Sequence, residues 1–160
     1  MRKVSLFVDV QNIYYTTRDA YGRGFDYNRF WARATAGRQV VQACAYAIGR
    51  GDEKQKQFQN ILRAIGFEVK LKPYIQRSDG SAKGDWDVGI TLDVIEAAAN
   101  TDIIVLASGD GDFDLLLKRA NERYGVETEA YGVPGLTANS LIQAATRYIA
   151  IDDGLLLKAK

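Results

Sequence analysis

The chain has 160 residues, 47% of them hydrophobic and 26% charged, with a formal net charge of +1. That is the make-up of an ordinary soluble globular domain, long enough to bury a core without a zinc or disulfide staple, and its overall charge does not advertise a polyanion partner. It contains no histidine, which excludes Ser-His-Asp and Cys-His nucleophile pairs, His-ligated zinc and imidazole acid–base chemistry.

The N-terminal run Val4–Val8 is continuous, apolar and β-branched, the pattern of a buried strand. Asp9 ends that run after five residues, too soon for a secretory core or a membrane span, so a cytoplasmic, membrane-free protein is expected. Asp26–Ala34 predicts an extra helix after the first. Gln39–Ile48 (QVVQACAYAI) predicts a second strand and encloses Cys44, the one cysteine, which fits a reducing compartment. Asp52 then caps a helix through Ile65, with Ile61, Leu62 and Ile65 on its apolar side and Gly66 as its stop.

Phe67–Ile75 reads as a strand, and Asp85–Ala99 as a helix whose apolar positions are Val88, Leu92, Ile95 and Ala99. Asp102–Ala107 and Val126–Tyr131 are further strands, separated by a helix over Asp112–Tyr124 with apolar Leu115, Leu116 and Ala120. Thr137–Ala145 predicts a helix capped by Thr137, and Tyr148–Ile151 a short last strand. Leu155, Leu156 and Leu157 form an apolar tail that needs a surface to dock on, in this domain or in a partner. Strands alternating with helices at this spacing imply βαβ units. The expected fold is a single α/β domain over residues 1–160, a three-layer α/β/α sandwich around a mostly parallel, doubly wound sheet.

In such sheets, sites form beyond the carboxyl ends of the strands. Asp9 closes the first strand, and Ser108-Gly109-Asp110-Gly111-Asp112-Phe113-Asp114 follows the strand Asp102–Ala107. A third acidic group, Asp85, Asp87 and Asp93, lies at and beyond Lys83-Gly84. Any one of these aspartates is explained equally well as a helix cap or first-turn charge. Converging, they are harder to explain that way. Two carboxylates ~4 Å apart repel by about 1 kcal/mol in water and ~4 kcal/mol at an effective dielectric of 20, a repulsion that a divalent cation offsets. Oxygen donors without His or Cys select Mg²⁺ or Mn²⁺. Asp87 and Asp93 are six residues apart, about 240° around a helix, so they diverge; Asp87 is the expected ligand, and Asp93 a secondary candidate beside Asp85 and Asp114.

At these residues the chain resembles the NYN domain, in its LabA-like branch, of the PIN-like nuclease superfamily. The motifs run in order: Asp-x-x-Asn at Asp9 and Asn12, Lys83-Gly84 followed by Asp87-Val88 and Asp93, and Ser-Gly-Asp-x-Asp-Phe at Ser108 to Phe113. Ser140 and Leu141 add a weaker late match. Two departures stand out: Asp85-Trp86 intervene where one residue is usual, and Val10 replaces a frequent glycine after Asp9.

The resemblance implies a Mg²⁺- or Mn²⁺-dependent ribonuclease acting on RNA, single-stranded by expectation. It makes Asp9, Asp87, Asp110 and Asp112 metal ligands and gives Asn12 a positioning role. Lys83 and Ser108 are secondary candidates, Arg18, Arg23 and Lys72 are candidates for the RNA backbone, and Tyr14, Tyr15 and Trp86 for base stacking. The alternative is a non-catalytic RNA-binding scaffold that keeps the acidic pocket. Haloacid-dehalogenase and receiver folds fail at Val10-Gln11, which lacks their second acid. An EF-hand fails because Leu115 and Asn121 occupy the places of its glycine and glutamate.

Overall fold

The computed structural model describes residues 1–49, 51–73, 75–76, 82–83 and 85–158, with backbone alone at 73, 75–76 and 82–83. In chain order the elements are β1 (Arg2–Asp9), α1 (Val10–Tyr21), α2 (Tyr27–Thr35), β2 (Arg38–Gly49), α3 (Glu53–Ile65), β3 (Glu68–Pro73), β4 (Ile75–Gln76) and β5 (Ala82–Lys83). There follow α4 (Asp87–Ala98), β6 (Ile103–Ala107), α5 (Asp114–Tyr124), β7 (Glu127–Gly132), α6 (Asn139–Ala144) and β8 (Arg147–Ala150), with short 3-10 turns at Gly111–Phe113 and Asp153–Leu155.

Six strands form one sheet in the order β3-β2-β1-β6-β7-β8, and every neighbouring pair is parallel. The reason is local. Successive strands of the sheet are joined through helices that need a face to bury, and a right-handed return brings the next strand alongside in the same direction. One face carries α1, α2 and α3 over Leu6, Val8, Ala45 and Val105; the other carries α4, α5 and α6 over Phe7, Tyr46, Ile104 and Leu106. This is the expected three-layer α/β/α arrangement. Successive residues of β1 serve opposite faces, which is why that strand is apolar throughout rather than alternating. The chain leaves β1 toward β2 on one side and β6 toward β7 on the other, so β1 and β6 flank the switch point.

Several local expectations are corrected. The segment Phe67–Ile75 divides into β3 and β4, and β4 pairs antiparallel with β5 in a separate ribbon. Thr137 does not cap α6; its hydroxyl donates to the Val133 carbonyl at 2.8 Å, and Ala138 stands at the cap without a side-chain bond. Helix α4 starts at Asp87, and its buried face is Ile90, Val94, Ala97 and Ala98. Val88 and Leu92 are 71% and 65% exposed. Apolar residues lie on two sides of this helix, so periodicity offers two competing stripes, and the sheet takes the one through Ile90 and Val94. Leu115 and Ile61 are likewise exposed, leaving Leu116, Leu117 and Leu62 to the core.

The tail resolves the other way. Leu155 and Leu156 are buried at 2% and 1% exposure, Leu156 bridges to Phe25, and Asp26 N–H donates to the Leu155 carbonyl at 2.8 Å. No helix among the described residues is long and apolar enough to cross a membrane.

Candidate metal centre

Asp9 stands where β1 becomes α1, at the register of Tyr46 on β2. It serves two ends at once. One oxygen caps α1 by accepting from Asn12 N–H at 3.4 Å, and the other accepts from the Ser108 hydroxyl at 3.2 Å. Asn12 reaches back across the switch point, its side-chain oxygen accepting from Gly109 N–H at 2.9 Å. The fully buried Ser108 also accepts from Asp110 N–H at 3.2 Å. These bonds tie the carboxyl end of β1 to that of β6 and fix Asp110 beside Asp9.

Glycines 109 and 111 are needed here because the backbone is crowded, since neither has a positive φ. A Cβ on Gly109 would meet the Leu136 carbonyl at 2.6 Å, and one on Gly111 the Ala138 methyl at 2.8 Å. The two glycines thus accommodate a close approach by the 133–138 loop.

Asp87 arrives from the other side of the cleft on the first turn of α4. Trp86 anchors that turn: its indole N–H donates to the Ala47 carbonyl at 2.9 Å and its ring packs on Tyr46 at 5.3 Å. One turn and a half further on, Asp93 accepts from the Tyr46 hydroxyl and from Lys70 Nζ, both at 2.7 Å. Asp93 therefore faces β2 and β3 and holds the helix on the sheet instead of joining the acidic group. Tyr46 and Lys70 are contributors that sequence reasoning missed. The available signal was Tyr46's place at the carboxyl end of β2, which no local pattern distinguished from core.

Asp9, Asp87 and Asp110 converge: one oxygen from each lies within 4.8 Å of the other two. Their electrostatics record the crowding. Burial pushes the Asp9 carboxyl up to about 6, against the lowering bonds from Asn12 and Ser108, and Asp110 and Asp85 raise it further. Asp87 is pushed up to about 7 by burial, then by Asp110, Asp85 and Asp9 in turn. Asp9 and Asp87, held back from ionising by burial and by each other's neighbours, complete with Asp110 an all-oxygen donor set suited to a hard divalent cation.

The remaining candidates are placed as follows. Asp112 is exposed and lies outside this group, its N–H donating to Asp110 Oδ1 at 2.9 Å. The expected fourth ligand is thus not brought in, because the 3-10 turn after Asp110 swings residue 112 toward α4 and α5. Asp114 sits in the first turn of α5 and accepts from its neighbour Leu115 N–H. Asp85 precedes α4 and is exposed, near enough to raise both Asp9 and Asp87.

Lys72 donates to the Asp85 carbonyl at 3.2 Å and lies 4.5 Å from the Trp86 ring centre, at the edge of the cleft. Arg18 covers the Tyr14 ring at 5.2 Å, and Tyr14 and Tyr15 are half exposed. Arg23 pairs with Asp153 and donates to the Leu157 carbonyl at 2.8 Å, clamping the tail. The backbone of Lys83 pairs with Ile75, while its side chain and Gly84 lie outside the described residues.

Fold and centre together define a doubly wound α/β protein with an acidic cleft at its switch point. Comparison with known proteins agrees. The profile of the NYN domain matches residues 3–152, and the chain belongs to that family, a PIN-like one whose members are generally nucleases. It is 28% identical to the low amplitude and bright protein LabA of Synechococcus elongatus, over 94% of this chain and 84% of LabA. A crystal structure of a protein of unknown function from Vibrio parahaemolyticus superposes with a TM-score of 0.93 at 59% identity, covering 98% of this chain and 96% of that one.

Proposed function

We propose that this chain is a Mg²⁺- or Mn²⁺-dependent ribonuclease that hydrolyses RNA phosphodiesters at Asp9, Asp87 and Asp110. The observation that carries this is the convergence of the three carboxylates, from β1, α4 and the turn after β6, within 4.8 Å at the switch point. A bound divalent cation supplies Lewis-acid polarisation of the phosphoryl oxygen and a water of lowered pKa. The three aspartates hold it, with Asp9 and Asp110 fixed by Ser108 and Asn12 and Asp87 carried by the anchored start of α4.

Asn12 spends its side-chain oxygen on Gly109, which leaves its amide N–H groups to donate to a phosphate oxygen. Lys72, beside Asp85 and Trp86, provides the positive charge that a backbone phosphate meets at the cleft edge. Asp85 acts on the field of the site rather than as a ligand. Endonucleolytic cutting of single-stranded RNA in the cytoplasm completes the reading, supported by the family's general nuclease character and by the exposed tyrosines of α1 near the cleft.

The test is cleavage of a single-stranded RNA with Mg²⁺ or Mn²⁺, with Asp9→Asn and Asp110→Asn alongside. Each variant should lose more than about 100-fold, since even outer-shell partners of a metal cost 10–100-fold. Cleavage that survives unchanged in both variants refutes the reading. Thermal stabilisation by Mn²⁺ without any cleavage would instead identify an RNA-binding scaffold.

A further inference from the structure

On the α1–α3 side of the sheet, next to the acidic centre, the protein has a cleft of about 640 Å³. Val10 and Tyr14 of α1, Tyr27 of α2, Ile48 of β2, and Phe58 and Gln59 of α3 contribute to its walls. The volume falls within the ~300–1,000 Å³ typical of small-molecule sites.

Two wall residues carry polar groups with no hydrogen-bond partner among the described residues: the Gln59 carboxamide and the Tyr27 hydroxyl, on residues each 8% exposed. Neither group is sealed off. Among the described residues, Ser5 Oγ is the side-chain atom that is both fully buried and unbonded. Gln59 and Tyr27 both line the cleft. Polar groups this deep are normally satisfied, so these two suit a polar occupant. An alkyl or lipid occupant would leave both unpaired.

A carboxamide offers a donor and an acceptor in one plane, the complement of a nucleobase edge, and aromatic walls suit its faces. The cleft also adjoins the metal centre. Val10 directly follows Asp9, and the Asp9 charge helps burial hold the Tyr27 hydroxyl above its usual range.

We propose that this cleft receives one unpaired nucleobase of an RNA strand whose phosphate lies at the Asp9–Asp87–Asp110 centre. Gln59 and Tyr27 hydrogen-bond the base edge, and Tyr14 and Phe58 pack against its face. The assignment rests on the nuclease reading of that centre. It explains a preference for single strands, because a base held in a duplex cannot enter.

The experiment titrates the metal-free protein with adenosine, guanosine, cytidine and uridine, followed by calorimetry and by the side-chain amide resonances of Gln59. At least one nucleoside should bind. Gln59→Leu and the conservative Tyr27→Phe should each weaken it about tenfold, while Mn²⁺ uptake, read by electron paramagnetic resonance, stays unchanged. Asp9→Asn should show the reverse, with Mn²⁺ uptake lost and nucleoside binding kept. The base site is overturned if no nucleoside binds at millimolar concentration, or if both cleft variants bind as the wild type does. Mn²⁺-dependent RNA cleavage alongside either result leaves the nuclease reading standing. Nucleoside binding that responds to Gln59→Leu in a protein that neither takes up Mn²⁺ nor cuts RNA overturns the nuclease reading instead.

Discussion

Asp9 satisfies the bland explanation and the functional one together, since it caps α1 with one oxygen and faces Asp87 and Asp110. Asparagine caps helices as well as aspartate does, so Asp9→Asn should fold normally while losing its metal. The raised carboxyls give a signed pH prediction. Asp9 at about 6 and Asp87 at about 7 lie above their unfolded range near 4. Between roughly pH 4 and 7 the native state therefore binds more protons than the unfolded one, and stability falls as pH rises through that window. Metal-free protein should melt at a higher temperature at pH 5 than at pH 8. Saturating Mg²⁺ should raise the pH 8 value selectively, and Asp87→Asn should flatten the metal-free profile. A melting temperature independent of pH and of Mg²⁺ over that range would mean the carboxylates do not repel one another.

Helix α4 delivers Asp87, so whatever holds α4 holds the site. The Tyr46–Asp93–Lys70 cluster and the Trp86 indole are the fastenings. Asp93→Ala leaves Tyr46 and Lys70 unsatisfied and should cost about 1–3 kcal/mol in chemical unfolding, with weaker Mn²⁺ binding although Asp93 is no ligand. Unchanged Mn²⁺ affinity would separate the helix anchor from the site. The loop after β6 depends on close approach in the same way: Gly109→Ala puts a methyl 2.6 Å from the Leu136 carbonyl and should destabilise by roughly 1–3 kcal/mol. The face of α4 is a third test. Leu92→Ala should stay within about 0.5 kcal/mol, whereas Val94→Ala removes fully buried methyls at roughly 0.8 kcal/mol per methylene-sized group, plus a cavity term.

Across the whole molecule, the strand order places the two critical turns side by side. Asp9 and Ser108 are 99 residues apart in the chain and share a hydrogen bond, because β1 and β6 pair directly. The C-terminal segment closes the far side of the domain by seating Leu155 and Leu156 in the core that α2 covers. Leu156→Ala should cost about 2–5 kcal/mol, visible as a lowered melting temperature, and a near-neutral result would show that the tail rests on the domain without supporting it.

The order of the main-sheet strands and their helices, the cap Asp52, and the carboxylates at strand ends were legible in the sequence, since each is set within a few residues by pattern, capping chemistry or chain direction. The face of α4, the position of Asp112 and the partners of Asp93 and Arg23 were not. Those depend on which surfaces distant segments present to one another: a helix with apolar residues on two sides has no preferred stripe until the sheet supplies one, and a carboxylate becomes a ligand or an anchor according to what it meets across the fold. Only tertiary packing brought Asp87 to Asp9 and Asp110, because no local rule sets the angle at which a helix crosses the ends of strands.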